Sequence, residues 1–178
     1  GKAYTKGVIR NDNGIIEKIL FRTKVAEVSG DVGIEMLSQS DSYLIEYDGK
    51  TYLVGDTLSE DRANYDFTKQ TNEHLICIYL AITKLLERSK QSNALAKINL
   101  AVNIPLSLYK NETKKKEFKS FINHKGKVIG IAVNGKPYSF SLNSVLLLPE
   151  GLGPVYQNMD MYRSQGVLVI DMGSLNTS

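Results

Sequence analysis

The chain has a single cysteine, no apolar run long enough to cross a bilayer, little surplus charge of either sign, and neither an internal repeat nor a low-complexity tract. Cys77 alone cannot close an intrachain disulfide. It sits in an apolar run with no neighbour that would lower its pKa, so it reads as an inert buried thiol in a reducing compartment. A bilayer span needs about 20 apolar residues, and a secretory leader needs basic, apolar and small-residue blocks in order. Neither pattern occurs, so the expected location is the cytoplasm, with no membrane partner. Lys and Arg number 22 against 19 Asp and Glu, a net charge of +3, too little to argue for direct nucleic-acid binding. What is present is ordinary for a globular protein: 42% hydrophobic and 23% charged residues with 14 glycines among 178. That composition excludes disorder, collagen and coiled coil.

Short runs rich in β-branched residues, Ile15 to Phe21 and Lys24 to Val28, predict a β meander near the start. Tyr43 to Tyr47, Asp48-Gly49 and Lys50 to Gly55 predict a hairpin, because Asp-Gly accepts the positive φ angles of a two-residue turn. Asn134-Gly135 does the same between Lys127 to Val133 and Lys136 to Leu142. Between the hairpins the period changes. Leu75, Ile78, Tyr79, Ile82, Leu85 and Leu86 fall at helical spacing from Thr71 or Asn72, as N-cap, to about Arg88. Such a broad apolar stripe must pack on a sheet.

Lys97 to Asn103 reads as a strand buried on both faces and ended by Ile104-Pro105. A second helix, about Tyr109 to Ile122, carries Lys114, Lys115, Lys116 and Lys119. Glu112 and Glu117 interrupt these lysines and no aromatic platform accompanies them, so they read as a solvated face. Val145 to Leu148 and Val167 to Ile170 read as further buried strands, with a helix beginning near Gly153-Pro154. Alternating strands and helices place the chain in the α/β class with a mixed sheet.

Three segments carry candidate chemistry. Val167 to Ile170 runs into Asp171-Met172-Gly173-Ser174-Leu175-Asn176-Thr177. There glycine lets backbone approach a phosphate, Ser and Thr hydroxyls can donate to it, and an Asp at a strand end can hold hydrated Mg²⁺. The same residues also read as a strand followed by a polar turn. Gly1-Lys2-Ala3-Tyr4-Thr5-Lys6-Gly7 gathers Gly, Thr and Lys in what reads as a compact turn. Pro149-Glu150-Gly151 ends an apolar strand and would hold a carboxylate firmly enough to orient a water, although Glu150 could equally cap the following helix. Gly151-Leu152-Gly153 follows a strand but lacks the third glycine of a dinucleotide fingerprint.

In this order the segments resemble the actin-like ATPase superfamily, specifically the bacterial plasmid-partitioning filament proteins of the ParM or StbA type. The resemblance runs through Tyr52-Leu53-Val54-Gly55-Asp56, the helix after His74 and Asn103-Ile104-Pro105-Leu106-Ser107-Leu108-Tyr109 to Pro149-Glu150-Gly151 and the last segment. It implies a ribonuclease-H-like actin fold: domain I over residues 1–165, then the first strand of domain II and the phosphate-2 hairpin over 166–178. The remainder of domain II is expected outside these residues. Gly1, Thr5 and Lys6 match the phosphate-1 hairpin, whose Asp would precede Gly1. Asp171, Gly173, Ser174, Asn176 and Thr177 occupy the phosphate-2 hairpin, where Leu175 replaces a small residue and Ser178 a common Asp.

By the same resemblance Glu150 positions the attacking water and Asp171 is the magnesium-linked carboxylate. The implied function is ATP hydrolysis, with GTP as the alternative nucleotide and Mg²⁺ as the metal. It is coupled to self-association into filaments and, with a DNA-bound adaptor protein, to plasmid segregation. A non-catalytic actin-like scaffold and a small-molecule kinase of the same superfold are the alternatives.

Overall fold

A computed structural model describes residues 3–10, 13–29, 37, 41–59, 70–90, 95–164 and 166–169. The chain opens with β1 (Tyr4–Arg10) and β2 (Ile16–Arg22), which pair antiparallel from Tyr4↔Arg22 to Arg10↔Ile16. The compact turn expected at the start is instead a strand. Thr5, Gly7 and Ile9 alternate inward while Tyr4, Lys6, Val8 and Arg10 face out, the period of two that a one-sided ribbon requires.

A second, six-stranded sheet has the order β3-β5-β4-β7-β8-β6, formed by β3 (Val25–Val28), β4 (Ser42–Tyr47), β5 (Lys50–Gly55), β6 (Ala96–Ile104), β7 (Ile129–Val133) and β8 (Lys136–Pro149). Every pairing is antiparallel except β6 with β8, so the sheet is mixed as expected. Both predicted hairpins form. Asp48 and Gly49 adopt φ of 51° and 73°, and Asn134 and Gly135 adopt 50° and 75°. This is the doubly left-handed turn whose twist matches the flanking strands. The two hairpins are tied side by side: Asn134 donates its N–H to Leu44 O at 2.8 Å, and Leu44 N–H returns a bond to Asn134 Oδ1 at 2.8 Å.

Helix α1 (Asn72–Arg88) starts where Thr71 Oγ1 accepts from His74 N–H at 3.4 Å and lies against strands of both sheets. Tyr79 is fully buried at its centre, edge-on to Tyr47 and Phe140, and its hydroxyl donates to Ile122 O at 2.8 Å. Gly7 allows α1 its approach to β1: a Cβ there would come within 3.1 Å of Leu85 Cδ1 and 3.0 Å of Ile19 Cγ1.

Three expectations change. β6 is not buried on both faces; up to Asn103 its residues alternate, with Lys97, Asn99, Ala101 and Asn103 exposed on one face, and it is the sheet's edge strand, with β8 as its one neighbour among the described strands. Lys136 to Leu142 and Val145 to Leu148 are one strand, β8, bent by a bulge that places Asn143 as the extra residue between Leu142, opposite Ile98, and Ser144, opposite Asn99. The second helix is two, α2 (Leu106–Tyr109) and α3 (Glu112–Ile122), because Asn111 Oδ1 caps α3 by accepting from Lys114 N–H at 3.0 Å. Along α3 Lys114, Lys116 and Lys119 face solvent, as read, whereas the Lys115 side chain is 19% exposed, paired to Glu112 at 2.7 Å and set 4.5 Å over the Tyr109 ring, an aromatic contact that was not expected.

After β8 come the short helices α4 (Gly153–Gln157) and α5 (Met159–Tyr162), neither with a buried residue. The strand expected over Val167 to Ile170 does not form within residues 166–169, where Leu168 is 85% exposed. An apolar run becomes a strand only where neighbours cover it, and the described residues supply none here.

Candidate functional site

The one parallel pair of the sheet, β6 with β8, carries the candidate residue Glu150 at its carboxyl ends. β6 and β8 run in register to Ile104↔Pro149, and Pro105 and Pro149, neither able to donate to the ladder, stop both strands at one level. The chain then turns at Gly151, with φ of 81°, and Glu150 N–H donates to Ile104 O at 2.9 Å. Ile104 is fully buried, so Glu150 is pinned by its backbone to the core. The carboxyl ends of parallel strands are where open α/β sheets receive ligands. Glu150 stands there half-buried. It is not the N-cap of the next helix: Leu152 holds that position in α4 and has no side chain to cap with.

Thr5 and Lys6 arrive from the other sheet, on β1, and because they are adjacent in a strand they point to opposite faces. Thr5 turns inward, its Oγ1 2.9 Å from Thr23 Oγ1, and it also hydrogen-bonds the buried Cys77 thiol. Burial pushes that thiol up to about 12, the Thr5 contact opposing only in part, so Cys77 is inert as read. Lys6 turns outward and is exposed. Gly1, Asp171, Gly173, Ser174, Asn176 and Thr177 lie outside the described residues.

Among the described residues no three His, Cys, Asp or Glu side chains gather where they could hold a metal ion. No helix among them is long and apolar enough to cross a membrane.

The strongest ionic cluster was missed in the sequence. Glu87, near the end of α1, accepts from Lys84 Nζ at 2.6 Å, from Lys136 Nζ at 3.2 Å and from the Tyr138 hydroxyl at 3.2 Å. The Lys84 hydrogen bond first, and the Lys136 and Tyr138 bonds after it, hold its carboxyl down to about 2 against a smaller opposing effect of burial. It clamps the β7–β8 hairpin to α1 and takes no part in the site. The spacing of Lys84 and Glu87 was its only local signal; the other partners come from far along the chain.

Residues 1–153 match the family described as actin-like proteins, N-terminal domain. Among solved structures, the AlfA filament from a B. subtilis plasmid superposes with a TM-score of 0.71 at 21% identity, covering 97% of this chain and 60% of that one. An AlfA filament bound to AMPPNP gives 0.73 at 20% identity, covering 98% and 59%. The Alp12 filament gives 0.64 at 31% identity, covering 89% and 46%. No curated protein sequence matches. The chain thus spans about three-fifths of AlfA and under half of Alp12.

Proposed function

Because this chain belongs to the actin-like proteins, matching their N-terminal domain over residues 1–153, we propose that it supplies domain I of a filament-forming ATPase that moves plasmid DNA. The observation that carries the reading is Glu150, pinned at the carboxyl ends of β6 and β8 within a domain whose solved neighbours include filaments, one of them bound to AMPPNP.

ATP sits over those strand ends, with GTP as the alternative. Gly1, Thr5 and Lys6 contribute from the β1 side, the exposed Lys6 ammonium meeting phosphate while Thr5 supports the strand beneath. Gly173, Ser174, Asn176 and Thr177 would contribute backbone and hydroxyl donors, and Asp171 would hold Mg²⁺. The metal would supply charge neutralisation at the phosphates. Glu150 accepts a hydrogen bond from the attacking water and orients it, and the backbone bond to Ile104 keeps the carboxylate in place while it does so. Self-association into filaments and capture of a DNA-bound adaptor follow from the same family membership; the chain itself contacts no DNA. The protein works in the cytoplasm.

Sedimentation of the whole protein tests this. Polymer should form with ATP, decay as phosphate is released, and persist with AMPPNP. Pelleting that ignores nucleotide, together with no phosphate release, would leave the chain a passive actin-like scaffold.

A further inference from the structure

Lys6 and Glu150 are carried by different sheets, so their relative placement depends on how those sheets are joined. The joint is short: only Thr23 and Lys24 separate β2, ending at Arg22, from β3, beginning at Val25. Connecting residues usually lie on the surface, and a lysine is rarely buried unless its head is paired. Here both residues are buried, each at 5% exposure. Each grips one side. Toward the ribbon, Thr23 N–H donates to Ala3 O at 3.0 Å and Thr23 Oγ1 stands 2.9 Å from Thr5 Oγ1, so both bonds fall on residues just before Lys6. Toward the six-stranded sheet, Lys24 O accepts from Gly55 N–H at 3.0 Å, and Lys24 Nζ donates to Leu58 O in the turn that follows β5. That turn is held in its own right: Thr57 N–H donates at 2.9 Å to Oγ of the buried Ser42, the first residue of β4.

Other contacts hold the ribbon down without fixing the start of β1. Phe21 meets Tyr43 edge-on, with ring centroids 5.9 Å apart, and Gly7 packs close to Leu85 of α1. Apolar burial is non-directional and tolerates a slide along the surface, whereas hydrogen bonds demand distance and angle. Helix α1 does give the ribbon a directional bond, from the Arg88 guanidinium to Lys18 O, but toward the other end of β2. Near Lys6, the directional link from ribbon to sheet runs through Thr23 and Lys24.

We propose that Thr23 is a positioning residue for the phosphate end of the nucleotide, fixing Lys6 through Ala3 and Thr5 while Lys24 fixes the joint against the sheet that leads to Glu150. This rests on the nucleotide reading above. Being buried, Thr23 acts through its neighbours rather than on the nucleotide itself.

The test uses the whole protein, with AMPPNP affinity measured by calorimetry and ATP turnover measured per folded molecule. Thr23→Val keeps the shape of the side chain and the backbone bond to Ala3 but loses the hydroxyl. It should raise both the AMPPNP Kd and the KM for ATP by about 3- to 10-fold, the range expected from one lost hydrogen bond. The kcat should stay within about twofold, because Glu150 keeps its bond to Ile104. Thr23→Ser retains the hydroxyl and should leave both constants near their original values. In a Lys6→Ala background Thr23→Val should bring no further loss of affinity, since residues that act through one contact are not additive. If Thr23→Val does not fold, Thr5→Val removes the same bond from the other side and carries the same expectations. Unaltered AMPPNP affinity in folded Thr23→Val, whatever its Tm, overturns this proposal alone, as does a loss that adds in full to that of Lys6→Ala. Failure of the unmodified protein to bind AMPPNP overturns the nucleotide reading and this proposal with it.

Discussion

The two sheets deliver their candidate site residues with unequal support. Glu150 leaves a six-stranded sheet whose strand ends are tied by a backbone hydrogen bond to a fully buried residue. Lys6 rides on a two-stranded ribbon held from one side by α1, while the other side bares Val8 at 65% exposure and Ile16 and Leu20 at 55%. Precision in a site comes from the elements behind it. Glu150, the proposed water-orienting carboxylate, is the part these residues position by themselves, and Lys6, the proposed phosphate-binding lysine, is the part whose strand keeps an open face.

The contrast can be broken from the strong side first. Tyr79→Ala removes a ring packed against Tyr47 and Phe140, along with the bond to Ile122 O, and should destabilise the fold by about 3–5 kcal/mol in denaturant titration. A loss under about 1 kcal/mol would mean that α1 does not organise the six-stranded half. At the junction of the two halves, Gly7→Val drives a side chain into Ile19 and Leu85 and should cost about 1–3 kcal/mol, lifting β1 from α1.

Acid offers a weaker lever. The Glu87 carboxyl is depressed on folding, so its contribution is complete above the ordinary carboxylate range and disappears as pH falls toward about 2. Its side chain is 35% exposed, and solvent screening keeps the effect under about 1 kcal/mol. Glu87→Gln should flatten the acid limb of the stability curve by that amount. Smallest of all, Leu20→Ser on the bare face should change stability by no more than about 0.5 kcal/mol. A larger loss in the whole protein would show that this face is covered there.

Both hairpins and α1 were legible because their signals are local: Asp48-Gly49 and Asn134-Gly135 dictate turns, and the spacing from Leu75 to Leu86 dictates one helical face. β6 was misread because a run such as Ile98 to Val102 looks the same at an edge as in the middle of a sheet; strand order is a long-range property. The continuity of β8 depends on a bulge that is defined by its partner, so Asn143 alone could not announce it. In the candidate site, Glu150 was singled out because Pro149-Glu150-Gly151 ends an apolar strand, but the bond to Ile104 that holds its backbone joins residues far apart in sequence. The opening segment was read as a turn from its glycines and Thr-Lys pair; the alternation of Thr5, Gly7 and Ile9 against α1 was the stronger pattern.

The proposed action of the pinned Glu150 carboxylate is on the attacking water. Its most direct test is steady-state ATP turnover of the whole protein carrying Glu150→Ala, normalised to folded molecules. Turnover should fall by about 10²- to 10⁴-fold while nucleotide affinity stays nearly constant, because a general base contributes in the transition state rather than in the bound ground state. Unchanged turnover per folded molecule would contradict the claim and leave Glu150 a residue of the strand end alone.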